Sequence, residues 1–420
     1  MLTVLLLAAA LFCWGALSAR LERADLTAPI VFVAVGFSLS QLTPLETHVE
    51  AEALKILTEV TLVWVLFSDA AQVGLNELRA DAGVYVRLLG VALPVTVVMG
   101  WALAAWLIGG LGIWLALFVG AALAPTDAAL GAAIMGDRRV PARVRRIVNV
   151  ESGLNDGIVT PVVLLALAGA AASEHGGGIG HAVLELVIGV VAGAAVGAAG
   201  GWLLRVARGR GWVDEAFGGP AVLALALAAY AGALVVGGNG FVAAFVAGTA
   251  FGAATGPGTG GRRETVHYVE QTAGLAGLLV WTFVGAVAVP QLVHAPAWQL
   301  ALYAVLSLTV VRMLPVAVAL AGSGLSRRAA LFIGWFGPRG LASVVFALLA
   351  LEELGPDADR AVAVVVATVL LSVVAHGLSA APLAQRAGPT LGGPPEPPAS
   401  PAPPPPGREG HELPTPSGGS

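Results

Sequence analysis

Residues 148–157 read Val148-Asn149-Val150-Glu151-Ser152-Gly153-Leu154-Asn155-Asp156-Gly157 and set two carboxylates and two carboxamides inside an otherwise apolar run. A carboxylate near the centre of a bilayer costs about 2.5–3.5 kcal/mol on insertion scales. Such residues therefore face a bundle interior or a water-filled cavity, where they mark an ion or proton path. The stretch predicts a polar centre inside a membrane-embedded helix bundle, and Asp156 is the first residue to explain.

The composition of the whole chain predicts the same setting. Its 420 residues are 57% hydrophobic and 11% charged, and the mean hydropathy is +0.85. A run of about 20 apolar residues crosses the hydrocarbon core, so the pattern predicts an all-α polytopic membrane protein with about thirteen transmembrane helices. The predicted spans cover residues 2–19, 28–42, 53–75, 83–107, 111–136, 146–172, 180–206, 217–236, 239–254, 268–289, 296–321, 327–351 and 359–385.

Positive residues alternate between the connecting loops. The fifth loop alone holds Arg138, Arg139, Arg143, Arg145 and Arg146. Because arginine-rich loops stay in the cytoplasm, this parity predicts an N-terminus outside and a C-terminus inside the plasma membrane.

Other features exclude several classes of protein. The net charge of -4 is too small to suggest a nucleic-acid partner. Cys13 is the only cysteine, so no intrachain disulfide can form. Lys55 is the only lysine and follows a leucine, so the chain has no Walker A motif and no nucleotide is expected.

Helix breakers interrupt the fifth and the twelfth span. They are Ala124-Pro125-Thr126-Asp127 and Gly337-Pro338-Arg339-Gly340. Proline unwinds a helix, and lipid tolerates an unwound backbone only where it lines a protein cavity. Corresponding broken helices in two halves of a membrane protein indicate a transport site near the midplane.

The two breaks also reveal the domain organisation. The same number of residues that separates the two breaks also separates two copies of a Phe-Val-Ala segment in the short second and ninth spans. These copies are Phe32-Val33-Ala34 and Phe245-Val246-Ala247. This offset of seven helices predicts two inverted repeats of six spans, about 1–172 and 217–385, joined by a linker helix at about 180–206. The membrane domain then covers residues 1–386, and the Pro-rich residues 387–420 are predicted to form a disordered cytoplasmic tail.

Polar side chains in the sixth span are predicted to share one helical face. Ser152, Asn155 and Asp156 follow i, i+3 and i+4 spacing. Asp156 offers charge and Ser152 offers a neutral oxygen, which are the ligands of a hard cation. The alternative is that these groups only join helices by hydrogen bonds. Asp69, in the third span, is either a second acid of such a cation site or a residue of the membrane interface.

The breaks carry opposite charges at matching positions. Asp127 can neutralise positive helix N-termini and Arg339 can neutralise negative C-termini that point into the breaks. We expect Arg339 to pair with Glu151 as well, because pairing removes the cost of burying either charge alone. Glu151, Arg339 and Asp127 are therefore predicted to be structural charges, whereas Arg312 has no assigned partner.

The segment Glu151-Ser152-x-x-Asn155-Asp156 resembles the Asn-Asp signature of the electroneutral branch of the monovalent cation:proton antiporters, in the sodium/proton exchanger class. The resemblance covers nearly the whole chain to about residue 385. It implies the sodium/proton antiporter fold with crossed discontinuous helices, a homodimer, and no cofactor beyond the transported ions.

The same resemblance assigns roles to individual residues. It implies that Asp156 carries the proton or the cation by turns. Ser152, Asp69 and the backbone carbonyl of Thr126 would complete the cation shell, which Asn155 would orient. The sequence departs from the family at Asp69, where many relatives have glutamate, and the shorter side chain would alter ion-size preference or leave room for a bridging water.

These observations predict a secondary transporter rather than an enzyme. The expected activity is exchange of protons for Na+, with K+ as the second possibility, by alternating access and with 1:1 stoichiometry. Two alternatives remain open at this level: a sodium-coupled symporter of organic anions with similar architecture, and a cation channel or proton-translocating subunit of a larger complex.

Overall fold

The computed structural model describes residues 2–22, 26–42, 51–127, 130, 137, 139–175, 179–256, 260–292, 297–387 and 391. Within these ranges every regular element is a helix. Apart from residues 387 and 391, the predicted tail lies outside the described residues.

The first six predicted spans correspond to the first half of the helices. These are α1 (Leu2–Glu22), α2 (Ala28–Leu42), α3 (Ala51–Gln72), α4 (Leu75–Ala80), α5 (Ala82–Arg87), a π-helical turn (Leu88–Ala92), α6 (Leu93–Leu107), α7 (Ile113–Ala122) and α8 (Ala142–His175). Helices α5 and α6 form the fourth span, α7 is the first half of the fifth, and α8 is the sixth. The short α4 precedes the fourth span.

The remaining spans follow in the predicted order. They are α9 (Ile179–Gly209), α10 (Glu215–Val235), α11 (Gly240–Thr255), α12 (Gly260–Phe283), a π-helical turn (Val284–Ala288), α13 (Val289–Leu292), α14 (Ala297–Leu306), a π-helical turn (Ser307–Val311), α15 (Arg312–Ala319), α16 (Arg327–Trp335), α17 (Leu341–Leu354), a 3-10 turn (Gly355–Ala358) and α18 (Asp359–Ala387). The twelfth span is thus divided into α16 and α17.

Helix lengths agree with a membrane-spanning architecture. Within the described residues, 8 helical segments are long and apolar enough to cross a bilayer. The shorter apolar helices are α2, α7 and α11, which lie in the predicted short second and ninth spans and in the broken fifth span. Large apolar side chains on outer faces, such as Phe12, Trp106 and Leu203, are exposed, as expected of a surface that contacts lipid.

The sequence fixes several helix starts through local capping. A capping residue precedes each of α10, α11 and α16. Its side-chain oxygen accepts a hydrogen bond of 2.8–3.1 Å from a backbone N–H in the first turn of the helix. The capping residues are Asp214, Asn239 and Ser326. Such caps satisfy backbone donors that have no partner within the helix.

Contacts group the helices into two bundles. Helices of the fourth to sixth and eleventh to thirteenth spans pack mainly on one another, and the other spans form a second bundle. Helix α9 joins the second bundle along α11. Its glycines at four-residue spacing lie so close to α11 that a Cβ atom would collide with that helix, which is typical of small-residue packing in membranes. Helix α3 meets α8 and α17 between the bundles.

Candidate functional site

The two helix breaks cross and bond to each other. Beyond Ala122 the chain continues without helical structure through Asp127, and the second break separates Trp335 from Leu341. The backbone N–H of Asp127 donates to the carbonyl of Pro338 (2.8 Å), and the Asp127 carboxylate accepts from the N–H of Leu341 (3.1 Å). Asp127 thereby places a negative charge at the N-terminus of α17, where the helix dipole favours it.

Arg339 makes the reciprocal contact with the fifth span. Its side chain is fully buried, and its Nη1 donates to the carbonyls of Ala124 and Pro125, both at 3.0 Å. These carbonyls follow the C-terminus of α7, the negative end of its dipole. Unwound backbone in the membrane interior needs such partners, because the hydrocarbon core holds no water that could hydrogen-bond the free N–H and C=O groups.

Two glycines allow the breaks to approach this closely. A Cβ atom at Gly340 would overlap the side chain of Asp127. A Cβ atom at Gly337 would lie 2.6 Å from Nε of Arg312 and 2.9 Å from Cγ2 of Thr126. Side chains at these positions would push the two breaks apart.

Helix α8 presents hydroxyl and amide groups to the fifth-span break. The Thr126 and Ser152 hydroxyl oxygens are 2.8 Å apart, and Asn155 Nδ2 donates to Thr126 Oγ1 at 2.7 Å. All three residues are buried. The predicted helical face of the sixth span is therefore turned toward the break and fixes the conformation of Thr126.

Asp156 follows Asn155 on α8, and Asp69 lies on the neighbouring helix α3. Asp156 is 6% exposed, and its backbone carbonyl accepts a bond from the Thr160 hydroxyl (2.7 Å). Within the described chain no donor reaches the Asp156 carboxylate. Asp69 and Asp127 are close enough to interact with it electrostatically. Helix α3 packs on α8 at this level, where a Cβ atom at Gly153 would lie 3.3 Å from the Asp69 carbonyl oxygen.

The predicted pairing of Glu151 with Arg339 is wrong. Glu151 Oε1 instead lies 2.6 Å from Nη2 of Arg312, and the two side chains are 2% and 1% exposed. Glu151 lies about 140° around α8 from Asp156, because five residues separate them at 3.6 residues per turn. Its partner Arg312 directly follows the π-helical turn Ser307–Val311, which shifts the helical register in a way that no sequence period reveals.

Sequence reasoning also missed the contribution of Ser372 on α18. Its hydroxyl accepts a 2.7 Å hydrogen bond from the backbone N–H of Arg339. The sequence did contain a signal for a bonded polar site on this helix. Ser372 and His376 are two polar side chains one turn apart in an apolar span.

Curated relatives of the chain are antiporters. The chain is 28% identical over 323 residues to a probable Na+/H+ antiporter of Schizosaccharomyces pombe, with 71% of this chain and 41% of that protein covered. It is 27% identical over 338 residues to the K+/H+ antiporter NhaP of Alkalimonas amylolytica, with 79% and 57% covered. The chain thus spans less than two thirds of the length of these relatives.

The fold and the family are established by two further comparisons. The structure is similar to that of the sodium proton antiporter MjNhaP1 from Methanocaldococcus jannaschii, with a TM-score of 0.74 at 18% identity over 92% of this chain and 99% of that chain. This similarity confirms the predicted antiporter fold. A profile of the transmembrane region of sodium/hydrogen exchangers matches residues 6–386. Because that match covers well over half of the 420 residues, the chain belongs to the sodium/hydrogen exchanger family.

Proposed function

We propose that this protein is a secondary active antiporter, not an enzyme, that exchanges protons for a monovalent cation by alternating access. Na+ is the first candidate and K+ the second. The relatives support both ions, since one is described as a Na+/H+ and another as a K+/H+ antiporter. No cofactor or nucleotide takes part in the proposed exchange.

One observation carries the proposal: the buried Asp156 interacts electrostatically with Asp69, whereas the neighbouring charges are engaged by fixed partners. Glu151 is paired with Arg312, and Asp127 and Arg339 bond to backbone groups of the opposite break. Two carboxylates that interact in a site of low dielectric constant repel each other unless a proton or a cation neutralises one of them. The pair is therefore the place where these two ions compete.

The residues around the pair can serve a hard cation. In the proposed site Asp156 carries the proton or the cation by turns, and Asp69, the Ser152 hydroxyl and the Thr126 backbone carbonyl supply further oxygens. Asn155 orients this group through its bond to the Thr126 hydroxyl. Oxygen ligands of this kind suit small hard cations.

Competition at Asp156 supplies the coupling between the two ions. The empty charged carrier reorients poorly across a low-dielectric barrier, so each transition carries either the proton or the cation. The bundle of the fourth to sixth and eleventh to thirteenth spans would move against the other bundle. Because the other charges keep fixed partners, one proton per cation is the simplest stoichiometry.

The proposed cellular setting follows from the charge pattern and the family resemblance. We place the protein in the plasma membrane with its N-terminus outside and its C-terminus in the cytoplasm, as a homodimer. The proposed membrane domain covers residues 1–386, with repeats at about 1–172 and 217–385 linked by α9. The proposed tail covers residues 387–420.

Reconstituted protein provides the test. Asp156→Asn keeps the size of the side chain but cannot exchange a proton at neutral pH. We expect it to abolish cation-evoked collapse of a pH gradient in proteoliposomes, across a panel of Na+, K+ and Li+. Glu185→Gln is the control, since Glu185 lies on α9 and is 40% exposed. Wild-type exchange by the Asp156 variant would refute the proposal.

Stoichiometry is tested separately with a potential set by valinomycin, under conditions where K+ is not transported. An electroneutral exchanger keeps its rate when the potential changes. A clear dependence of the rate on potential would contradict 1:1 exchange, and currents without a counter-ion would indicate a channel.

A further inference from the structure

Helix α18 carries two buried polar side chains that face the break of the twelfth span. Ser372 and His376 are 0% and 2% exposed, and they lie one turn apart on the same face of the helix. Buried polar groups in a membrane are costly unless they are bonded. Their partners therefore indicate what they do.

The two side chains bind both ends of the break. Ser372 Oγ accepts the backbone N–H of Arg339 at 2.7 Å, shortly before α17 begins. His376 Nε2 lies 2.8 Å from the carbonyl oxygen of Trp335, the last residue of α16. His376 Nδ1 lies 3.1 Å from Ser372 Oγ. Together they form a clamp across the break, which we call the Ser372–His376 clamp.

Each ring nitrogen of His376 faces a backbone carbonyl oxygen, because Nδ1 also lies 2.9 Å from the carbonyl oxygen of Ser372. A neutral imidazole with its proton on Nε2 donates to the Trp335 carbonyl, and the Ser372 hydroxyl can then donate to Nδ1 while it accepts from Arg339 N–H. The opposite tautomer donates to the Ser372 carbonyl and turns a lone pair toward the Trp335 carbonyl. The Trp335 ring stacks on the imidazole with centroids 5.1 Å apart and donates its own N–H to Ser379 (3.0 Å).

Arg339 connects the clamp to the proposed cation site. Ser372 bonds the Arg339 backbone, and the Arg339 side chain donates to the carbonyls of Ala124 and Pro125. The next residue is Thr126, whose carbonyl is a proposed cation ligand. A shift of the Arg339 backbone would therefore displace the Thr126 carbonyl.

We propose that Ser372 and His376 are positioning residues for cation binding, which hold Arg339 and thereby the fifth-span break that carries Thr126. The inference rests on the proposed exchange function. It requires no ion to touch the clamp. Residues that orient ligands in this manner typically change metal affinity by about 10-fold to 100-fold when they are replaced.

Four variants separate positioning from mere packing. Ser372→Ala and His376→Leu remove the hydrogen bonds of the clamp. His376→Gln retains N–H donors and an acceptor oxygen but cannot titrate. Thr368→Val is the matched control, because Thr368 is a buried residue of α18 whose hydroxyl, among the described residues, bonds only to Val364 of its own helix.

The experiment measures apparent KM for Na+ and K+ and the maximal exchange rate in proteoliposomes. Ser372→Ala and His376→Leu are expected to raise apparent KM about 10-fold or more with a smaller change in maximal rate. His376→Gln and Thr368→Val should stay near the wild type. An unchanged KM in Ser372→Ala and His376→Leu, or an equal rise in Thr368→Val, would overturn the proposal. Loss of binding in His376→Gln equal to that in His376→Leu would also overturn the hydrogen-bonding role.

Cation-induced thermal stabilisation in detergent gives a second readout that does not depend on transport. The concentration of Na+ or K+ needed for half-maximal stabilisation should follow the same order among the variants. If the wild type shows no exchange, the proposed function fails, and the clamp is judged on this measurement alone. If the wild type exchanges ions but the variants bind them equally well, only the clamp proposal fails.

Discussion

The carboxylate of Asp127 accepts the backbone N–H of Leu341 at 3.1 Å, so the break of the fifth span caps the second half of the twelfth. In the opposite direction, the side chain of Arg339 in the twelfth span donates hydrogen bonds to the carbonyls of Ala124 and Pro125 in the fifth. Each break supplies the charge that the helix end of the other break requires. The two breaks therefore behave as one structural unit next to Asp156.

Gly340→Ala tests this mutual support. The new Cβ atom would overlap the Asp127 side chain, and overpacking of this kind costs about 1–3 kcal/mol. We expect a lower apparent melting temperature in detergent and a loss of exchange. Gly274→Ala is the control, because a Cβ atom there meets open space. Equal stability and activity of the two variants would show that the breaks are not closely packed.

Glu151→Gln tests the buried ion pair with Arg312. The substitution leaves a guanidinium charge buried without its partner, which costs about 3–5 kcal/mol. The double variant Glu151→Gln/Arg312→Met removes both charges and should recover much of that loss. Thermal unfolding of the single and double variants measures the effect. A double variant less stable than the sum of the single losses would contradict the pairing.

Substitutions of Asp69 test its proposed place in the cation shell. Asp69→Asn removes a charged ligand, so we expect apparent KM for the transported cation to rise about 10-fold or more while some exchange remains through Asp156. Asp69→Glu keeps the charge on a longer side chain. It should retain exchange, with a changed ratio of the affinities for Na+ and K+. Glu59→Gln, on the same helix, is the control. Wild-type affinities in Asp69→Asn would exclude this residue from the site.

Asp81 provides a prediction about pH and stability outside the membrane spans. Its carboxylate accepts bonds from Arg143 (2.9 Å) and Arg146 (2.8 Å), which lie at the start of α8. Burial acts to raise the pKa of Asp81, but the bonds to Arg146 and Arg143 outweigh it and hold the pKa below its usual value.

A lowered folded-state pKa means that the stabilisation is present above the unfolded value, about 3.9, and is lost as the pH falls through the folded value. Asp81→Asn should therefore lower the melting temperature at pH 7, and the difference from the wild type should shrink only below about pH 4. Asp137→Asn is the comparison, since Asp137 pairs locally with the exposed Arg139 and such pairs contribute about 0–1 kcal/mol. A difference independent of pH would contradict the prediction.

Local features made much of the fold predictable. The apolar run length predicted the spans, and Pro125 and Pro338 predicted the two breaks, because proline acts on the backbone of its own helix. The spacing of Ser152, Asn155 and Asp156 predicted their shared face, since three to four residues make one helical turn. The thirteen predicted spans correspond to the described helices, with the second half of the fifth largely outside the described residues.

The charge partners were not predictable in the same way. The sequence marked Glu151, Arg312 and Arg339 as intramembrane charges, but which of them meet depends on how each helix is rotated about its axis. The expected pair of Glu151 and Arg339 was wrong. The π-helical turn before Arg312 rotates that residue relative to a regular helix.

By itself, then, the sequence determined which segments are long and apolar enough to cross the membrane, where two helices unwind and which acids lie within the predicted spans, because each of these depends on neighbours within a few turns. Only the tertiary structure decided that Glu151 meets Arg312, that Arg339 meets the end of α7, and that Ser372 and His376 close around the second break. Those contacts join residues of different spans, and their geometry depends on how whole helices rotate and cross.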